Sequence, residues 1–283
     1  MKKILLTGAT GFVGRQIHLA LAEAGHFVIP VVRAGTEGRL VDSGNAARPV
    51  FSADLFAEDA AWWSKACSGV DTVVHSAWYV EPGKYLDSPS NLACVSGTLA
   101  LAQGAAAAGI GHFIGIGTCM EYKLPSDRLT VDSPLEPKTL YAASKLALYH
   151  MLDRYFVGTD TAFSWCRLFY LFGDGEHANR LVPYVRACLA EGRVAKLSSG
   201  MQLRDFLDVR QAGHLIAQVV ETGQAGALNI CSGKPTTIRG LVEAIADEYG
   251  RRDLLEFGAA AVHLADPAAV VGVCNVSLPQ RAL

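Results

Sequence analysis

The sequence predicts an α/β protein: a doubly wound, largely parallel sheet followed by a smaller C-terminal α/β lobe. Three observations predict it. A glycine-rich turn carrying Gly8, Gly11 and Gly14 joins a short apolar run to an amphipathic stretch right at the N-terminus. Apolar strand-like runs then alternate with helical stretches up to about residue 170. Beyond that point the loops lengthen and strands become less distinct, while helical periodicity recurs.

The elements follow in order. Ile4–Thr7 is a first strand and Arg15–Ala24 a first helix, with the glycines between them. Phe27–Val32, Thr72–Ser76, His112–Ile116 and Ala162–Leu168 read as further strands. Several are continuously apolar rather than alternating, as expected for a parallel sheet covered on both faces. Ser90–Ala108 and Leu140–Tyr155 carry helical periodicity between them, completing a βαβ rhythm. In the second part, Arg180–Glu191, Val209–Glu221 and Ile238–Tyr249 read as helices. We therefore divide the chain into residues 1–170 and a lobe over 171–283, with segments crossing between them. The lobe is expected over the C-terminal edge of the sheet, where open α/β sheets bind ligands.

Composition narrows the function classes. The chain has 283 residues, 51% of them hydrophobic and 18% charged, which excludes a disordered protein. The net charge of −2, without a basic run, gives no electrostatic footprint for nucleic acid. The longest apolar stretch, Leu99 to Ile110, is broken by Gln103 and Gly104 and too short to span a bilayer, so no membrane association is expected. The N-terminus runs from Lys2-Lys3 straight into a strand rather than a signal-peptide core, and a cytoplasmic location is expected. Seven cysteines at irregular spacing lack any C-x-x-C pair or zinc spacing, so no metal site is expected and they read as buried free thiols.

Chemistry enters with the glycines. Glycines at this spacing bring bare backbone up to a pyrophosphate, which then sits on a helix N-terminus with its free N–H groups and partial positive charge. An NAD site usually places an acid at the end of the second strand to hold the adenosine ribose. Here Arg33 stands there instead. A guanidinium suits a 2′-phosphate better than a bare diol, so NADP(H) is favoured, with NAD(H) the alternative. Asp54 and Leu55, after a third short strand, are candidate contacts for the adenine.

Tyr141 and Lys145 lie four residues apart, and so share one face of a helix. An ammonium beside a phenol is expected to lower the phenol's pKa, fitting it for proton exchange with an alcohol or ketone oxygen. Thr118 ends the strand that begins at His112, and it offers a hydroxyl to the same site.

At this point the sequence resembles the extended short-chain dehydrogenase/reductases, the branch containing nucleotide-sugar epimerases, dehydratases and 4-ketoreductases. The resemblance covers about residues 3–250. It is carried by TGATGFVG (Thr7–Gly14), HSA (His75–Ala77), GTCMEY (Gly117–Tyr122), YAASK (Tyr141–Lys145), RLFYLFGDGE (Arg167–Glu176), RDFLDV (Arg204–Val209) and NICSGKPTTI (Asn229–Ile238). It implies a Rossmann-type sheet and a nucleotide-diphosphate sugar as substrate. It implies Tyr141 as general acid/base, Lys145 as ligand of the nicotinamide ribose, and Thr118 as donor to the reacting oxygen. Gly8, Gly11, Phe12, Val13 and Gly14 would surround the pyrophosphate, and His75, Ser76 and Ala77 would line the cofactor's path. Arg204 would meet the substrate diphosphate, with Asn179 and Arg180 also against the nucleotide sugar. A homodimer through the helices at Ser90–Ala108 and Leu140–Tyr155 is the family habit.

Departures from the family pattern decide more. Dehydratases follow the catalytic hydroxyl with Asp-Glu; here Cys119-Met120 follow Thr118, so elimination of water is disfavoured and Cys119 faces substrate instead. The resemblance then points to the 4-ketoreductases and 4-dehydrogenases of 6-deoxyhexoses, with epimerases second. Cys94 stands where the family carries a supporting Asn, which puts one local hydrogen bond in doubt. The C-terminal run VVGVCNVSLPQRAL is short for the family. Trp78 and Tyr79 either contact substrate or pack. His75 reads equally as a satisfied core histidine, Trp62-Trp63 and Tyr122 as packing residues, and Arg251-Arg252 as a solvated charge pair.

Overall fold

The computed structural model describes residues 1–44, 48–261 and 266–277. Five strands build the first half of a parallel sheet: β1 (Lys3–Thr7), β2 (Phe27–Val32), β3 (Val50–Phe51), β4 (Thr72–His75) and β5 (His112–Thr118). β6 (Ser126–Leu129) leaves this sheet, and β7 (Ala162–Leu168) returns to it. The helices between them are α1 (Phe12–Glu23), α2 (Ala60–Ala66), α3 (Ser90–Ala107) and α4 (Leu140–Val157).

The second part contains β8 (Tyr170–Phe172), α5 (Leu181–Ala190), β9 (Ala195–Leu197), β10 (Leu203–Asp208), α6 (Val209–Thr222) and β11 (Gly226–Ile230). It continues with β12 (Pro235–Thr237), α7 (Ile238–Tyr249), β13 (Leu255–Phe257) and β14 (Ala269–Gly272). The main sheet has the order β11-β7-β5-β4-β1-β2-β3, all pairs parallel. Helices cover both faces, so β4 and β5 are buried at every position, their polar ends Thr72, His75, His112 and Thr118 included.

One face of the sheet, with Ile4, Leu6, Val74 and Ile114, packs on α1 and α6 through Ile17, Leu21, Ile216 and Val220. The other, with Leu5, Val73 and Phe113, packs on α2, α3 and α4 through Trp63, Leu101, Leu148 and Leu152. Each such buried aliphatic or aromatic side chain contributes about 1.5–3 kcal/mol relative to exposure. Trp62 and Trp63 meet edge to face, as packing residues do.

A second sheet, β12-β10-β14-β6, carries β8 against β10, and α5 and α7 enclose a small core of their own with β9 and β13. Two elements beyond residue 170 return to the main sheet. α6 lies against α1, and β11 adds to the main sheet beside β7. Helical periodicity placed α6 in the second lobe because it carries no signal for which layer a helix covers. The structure also adds α2, too short to show clear periodicity, capped by Asp59 accepting from the Trp62 N–H.

Six cysteines are buried free thiols and Cys274 is exposed, so the expectation of uniform burial fails at that one position. No helix among the described residues is long and apolar enough to cross a membrane. Residues 278–283, the end of the C-terminal run, lie outside the described residues.

Candidate active site

The glycine turn is shaped by what a side chain would strike. Gly8 has φ +76°, and a Cβ there would lie 2.8 Å from the Ala77 nitrogen; at Gly14 it would lie 2.0 Å from the Gly8 carbonyl oxygen. Only bare backbone lets β1, α1 and the segment after β4 approach so closely. Gly11 stands at the N-cap of α1, and Phe12 and Val13 form its first turn, so free N–H groups face the turn. This geometry fits a pyrophosphate.

Beside it opens a cleft of about 200 Å³ lined by Gly8, Thr10, Val32, Arg33, Asp54 and Leu55. Thr36 and Arg39, which the sequence reading did not single out, line it too. They are brought there by a tight turn in which the Thr36 N–H and hydroxyl both donate to the Arg33 carbonyl, followed by a single 3-10 turn, Glu37–Arg39. Two exposed guanidiniums therefore flank the end of β2, where a lone strand-end arginine was expected.

His75 is buried with both ring nitrogens engaged: Nδ1 lies 2.8 Å from the Thr7 hydroxyl and Nε2 2.9 Å from the Thr98 hydroxyl. Thr98 donates its own proton to the Cys94 carbonyl, so it accepts from Nε2–H. Nδ1 then accepts from Thr7, whose oxygen accepts the Ala77 N–H. Burial drives the imidazole down to about 3. Both ring nitrogens of His75 are thus taken up in tying β1, β4 and α3 together. Ser76 and Ala77 keep their place beside Gly8. Cys94 is buried, which pushes its thiol up, with the Tyr79 backbone opposing.

The strand β5 delivers Thr118 to the N-cap of a single 3-10 turn, Cys119–Glu121. Thr118 and Glu121 form a reciprocal capping box: the Thr118 hydroxyl accepts from Met120 N–H, and Glu121 Oε1 accepts from Thr118 N–H at 2.9 Å. Glu121 is fully buried, accepts from Trp165 Nε1 at 3.0 Å, and pairs with Arg167 Nε at 2.7 Å. The Arg167 guanidinium lies over the Tyr122 and Tyr149 rings, 4.9 and 4.8 Å from their centroids. Tyr122 is buried and donates to Asn229. Cys119 is buried, and its thiol is pushed up to about 12, so it presents no thiolate to a ligand.

Thr139 caps α4 by accepting from Ala142 N–H, which fixes Tyr141 in its first turn. Lys145 follows one turn on, buried, donating from Nζ to the Ile116 carbonyl at 2.7 Å, with the Trp78 ring centroid 3.6 Å from Nζ. Burial lowers the ammonium to about 7, and Glu121 pulls the other way. Burial also raises the Tyr141 phenol, opposed by the Thr118 hydroxyl. The expected lowering of Tyr141 by Lys145 is therefore corrected: the ammonium is turned to the Ile116 carbonyl and the indole, and burial governs the phenol. Thr118 at the end of β5 lies beside Tyr141, and Lys145 reaches back to the Ile116 carbonyl of the same strand.

The substrate-side residues divide. Arg204 is buried, donates to the Leu203 carbonyl and to Asp266, and lies over the Tyr170 ring. A diphosphate would have to replace or share Asp266, so a free guanidinium does not await it. Its neighbour Asp205 accepts from Ser232 and from the Gly233 and Gly272 N–H groups, anchoring the segment after β11. Arg180 and Asn179 are exposed at the N-terminus of α5, with Arg180 paired to Glu176. Trp78 packs edge-on to Tyr141, as does Tyr85, which no sequence motif marks. Arg251 and Arg252 form surface pairs with Asp253 and Asp247.

The model of the NAD dependent epimerase/dehydratase family matches residues 4–231. The chain belongs to that family. It is 28% identical over 250 residues to a dTDP-6-deoxy-L-talose 4-dehydrogenase (NAD(+)) of Aggregatibacter actinomycetemcomitans, covering 87% of this chain and 90% of the relative. It is 27% identical over 289 residues to a UDP-glucose 4-epimerase of Neisseria meningitidis, covering 88% and 83%. Among solved structures it superposes on a dTDP-glucose 4,6-dehydratase of Streptomyces venezuelae with NAD bound. The TM-score is 0.78 at 26% identity, covering 96% of this chain and 88% of that one.

Proposed function

We propose that this family member reduces the C4 carbonyl of a nucleotide-diphospho-4-keto-6-deoxyhexose with NADPH, and runs equally in reverse as a 4-dehydrogenase. The observation that carries the reading is the meeting of Thr118, Tyr141 and Lys145 at the end of β5, while Glu121 is locked inside by Arg167. With Cys119 a neutral thiol, that turn offers no acid–base pair for removing water.

When bound, the nicotinamide supplies hydride to C4. Tyr141, kept protonated by its burial, donates its proton to the former carbonyl oxygen as negative charge grows there. The Thr118 hydroxyl, whose oxygen accepts from Met120 N–H, would turn its proton to the same oxygen. Donors aimed at developing charge stabilise the transition state more than the ground state. Lys145 would hold the nicotinamide ribose. Arg33 and Arg39 would grip a 2′-phosphate, which is the support for NADP(H) over NAD(H) in a family described by NAD dependence. Arg180, exposed at the rim, is the accessible cation for the substrate diphosphate. Exposed Leu92 on α3 and Met151, Tyr155 and Val157 on α4 support a homodimer through those helices in a cytoplasmic enzyme.

NADPH absorbance followed against a panel of dTDP-, GDP- and CDP-4-keto-6-deoxy sugars tests the reading, which expects one NADPH oxidised per product. The likeness to UDP-glucose 4-epimerases favours a second reading, an epimerase holding NAD. Turnover of a nucleotide sugar with retained NAD and no net oxidation would replace the first reading with it.

A further inference from the structure

One side chain outside the reacting trio bonds to three points of the segment that lies against it. Asn91, at the start of α3, is completely buried. Its Oδ1 accepts from the Trp78 indole N–H at 2.8 Å. Its Nδ2 donates to the Tyr85 carbonyl at 2.7 Å and to the Ser88 carbonyl at 2.9 Å. The amide is thus spent entirely on the segment that connects β4 to α3.

That segment is the wall of the site. Trp78 lays its ring 3.6 Å from Lys145 Nζ and sets its edge toward Tyr141 and toward Phe56, which lines the adenosine-side cleft. Tyr85 places its ring edge-on to Tyr141, with centroids 4.9 Å apart. The Leu86 carbonyl accepts from the Tyr141 N–H at 2.8 Å, so the same loop also holds the backbone of Tyr141. Besides this bond, the Ser76 and Ala77 N–H groups donate to Thr7, turns close at Glu81–Tyr85, and a long contact runs from Leu140 N–H to Asp87.

We propose that Asn91 is a positioning residue of the reaction, fixing the Trp78 indole over Lys145 and the Tyr85–Leu86 segment against Tyr141. The proposal rests on the reading of Tyr141 and Lys145 as the reacting pair. A buried amide whose three hydrogen bonds all run to one loop holds that loop in a single arrangement, because each bond lost there leaves a desolvated partner. A ring resting on the ammonium restricts where its remaining N–H bonds can point, and a small displacement near reacting atoms is costly in rate.

The test pairs Asn91→Leu, close in volume and unable to hydrogen-bond, with Trp78→Phe, which keeps a ring but removes the N–H. Protein labelled with 5-fluorotryptophan is observed by 19F NMR, the Trp78 line being assigned from its loss in Trp78→Phe. In Asn91→Leu that line is expected to shift and broaden, while the Trp63 and Trp165 lines stay in place as a measure of intact folding. Turnover is expected to fall about ten- to a hundred-fold with the KM for NADPH little changed, the scale of a small misplacement beside reacting groups. Combined with Trp78→Phe, the loss should be less than the product of the two single effects. An unmoved Trp78 line in Asn91→Leu overturns the proposal whether or not a sugar substrate has been found. Full multiplicativity of the two rate effects overturns it as well. Absence of turnover in the unaltered protein with every sugar tried counts against the proposed reaction instead, and leaves the 19F outcome to decide the role of Asn91.

Discussion

Replacing Glu121 by Gln changes one oxygen for an NH2 group, and the structure says what this disturbs. The carboxylate pairs with Arg167 at 2.7 Å where the two side chains are 0% and 1% exposed. Gln can still accept from Thr118 N–H and Trp165 N–H through one oxygen. Its NH2 then faces the Arg167 N–H, so donor meets donor and a guanidinium is left uncompensated in the interior. Breaking one partner of a buried pair costs about 3–5 kcal/mol. Urea denaturation of Glu121→Gln should show that loss at constant m-value. Arg167→Met in the same background should recover most of it, since a buried pair replaced by apolar groups is often close to neutral. A Glu121→Gln protein within about 1 kcal/mol of the parent, below the range for a broken buried pair, would refute the view that this ion pair braces the end of β5.

Three further outcomes follow. Tyr141→Phe should cut turnover by about two to four orders of magnitude, the usual worth of a general acid, while NADPH still binds by fluorescence titration; near-normal activity sinks the assignment. Arg33→Ala with Arg39→Ala should shift the ratio of kcat/KM for NADPH over NADH by about ten-fold or more toward NADH, given about 1.5–3 kcal/mol for each charged hydrogen bond lost; an unchanged ratio removes the argument for NADP(H). Stability should fall on acidification, because His75 and His112 are held neutral at about 3 and about 4 when folded but bind protons near 6.5 when unfolded. The folded form binds fewer protons in that window, so unfolding free energy drops by about 1.4 kcal/mol per pH unit per histidine between pH 6 and pH 4. Denaturant midpoints that stay flat across that range would contradict it.

How much of this was legible depended on the range of the interaction. The glycine turn, the strand rhythm and the Tyr141–Lys145 spacing are local, and local periodicity and backbone conformation write themselves into sequence. Even Glu121 leaves a local trace, because Thr118-x-x-Glu121 is a capping-box spacing. Its partner Arg167 is 46 positions away and carries no such trace. The same holds for Asp266 at Arg204 and for the Asn91 amide beneath Trp78. The expected tuning of Tyr141 by Lys145 failed for a related reason: spacing along a helix gives a shared face, but not where an ammonium turns or how dry its surroundings are.

The strand order has a consequence for how the protein is made. β7 lies second from one edge of the main sheet, and the strand outside it, β11, begins only at Gly226. While the ribosome has delivered the first two hundred residues, β7 has its inner neighbour β5 but an open outer ladder, and α1 still lacks the apolar cover of α6. An open ladder of this kind invites pairing with another chain. Nascent chains stalled before Gly226 should therefore engage chaperones and aggregate, and ones extended past Ile230 should not.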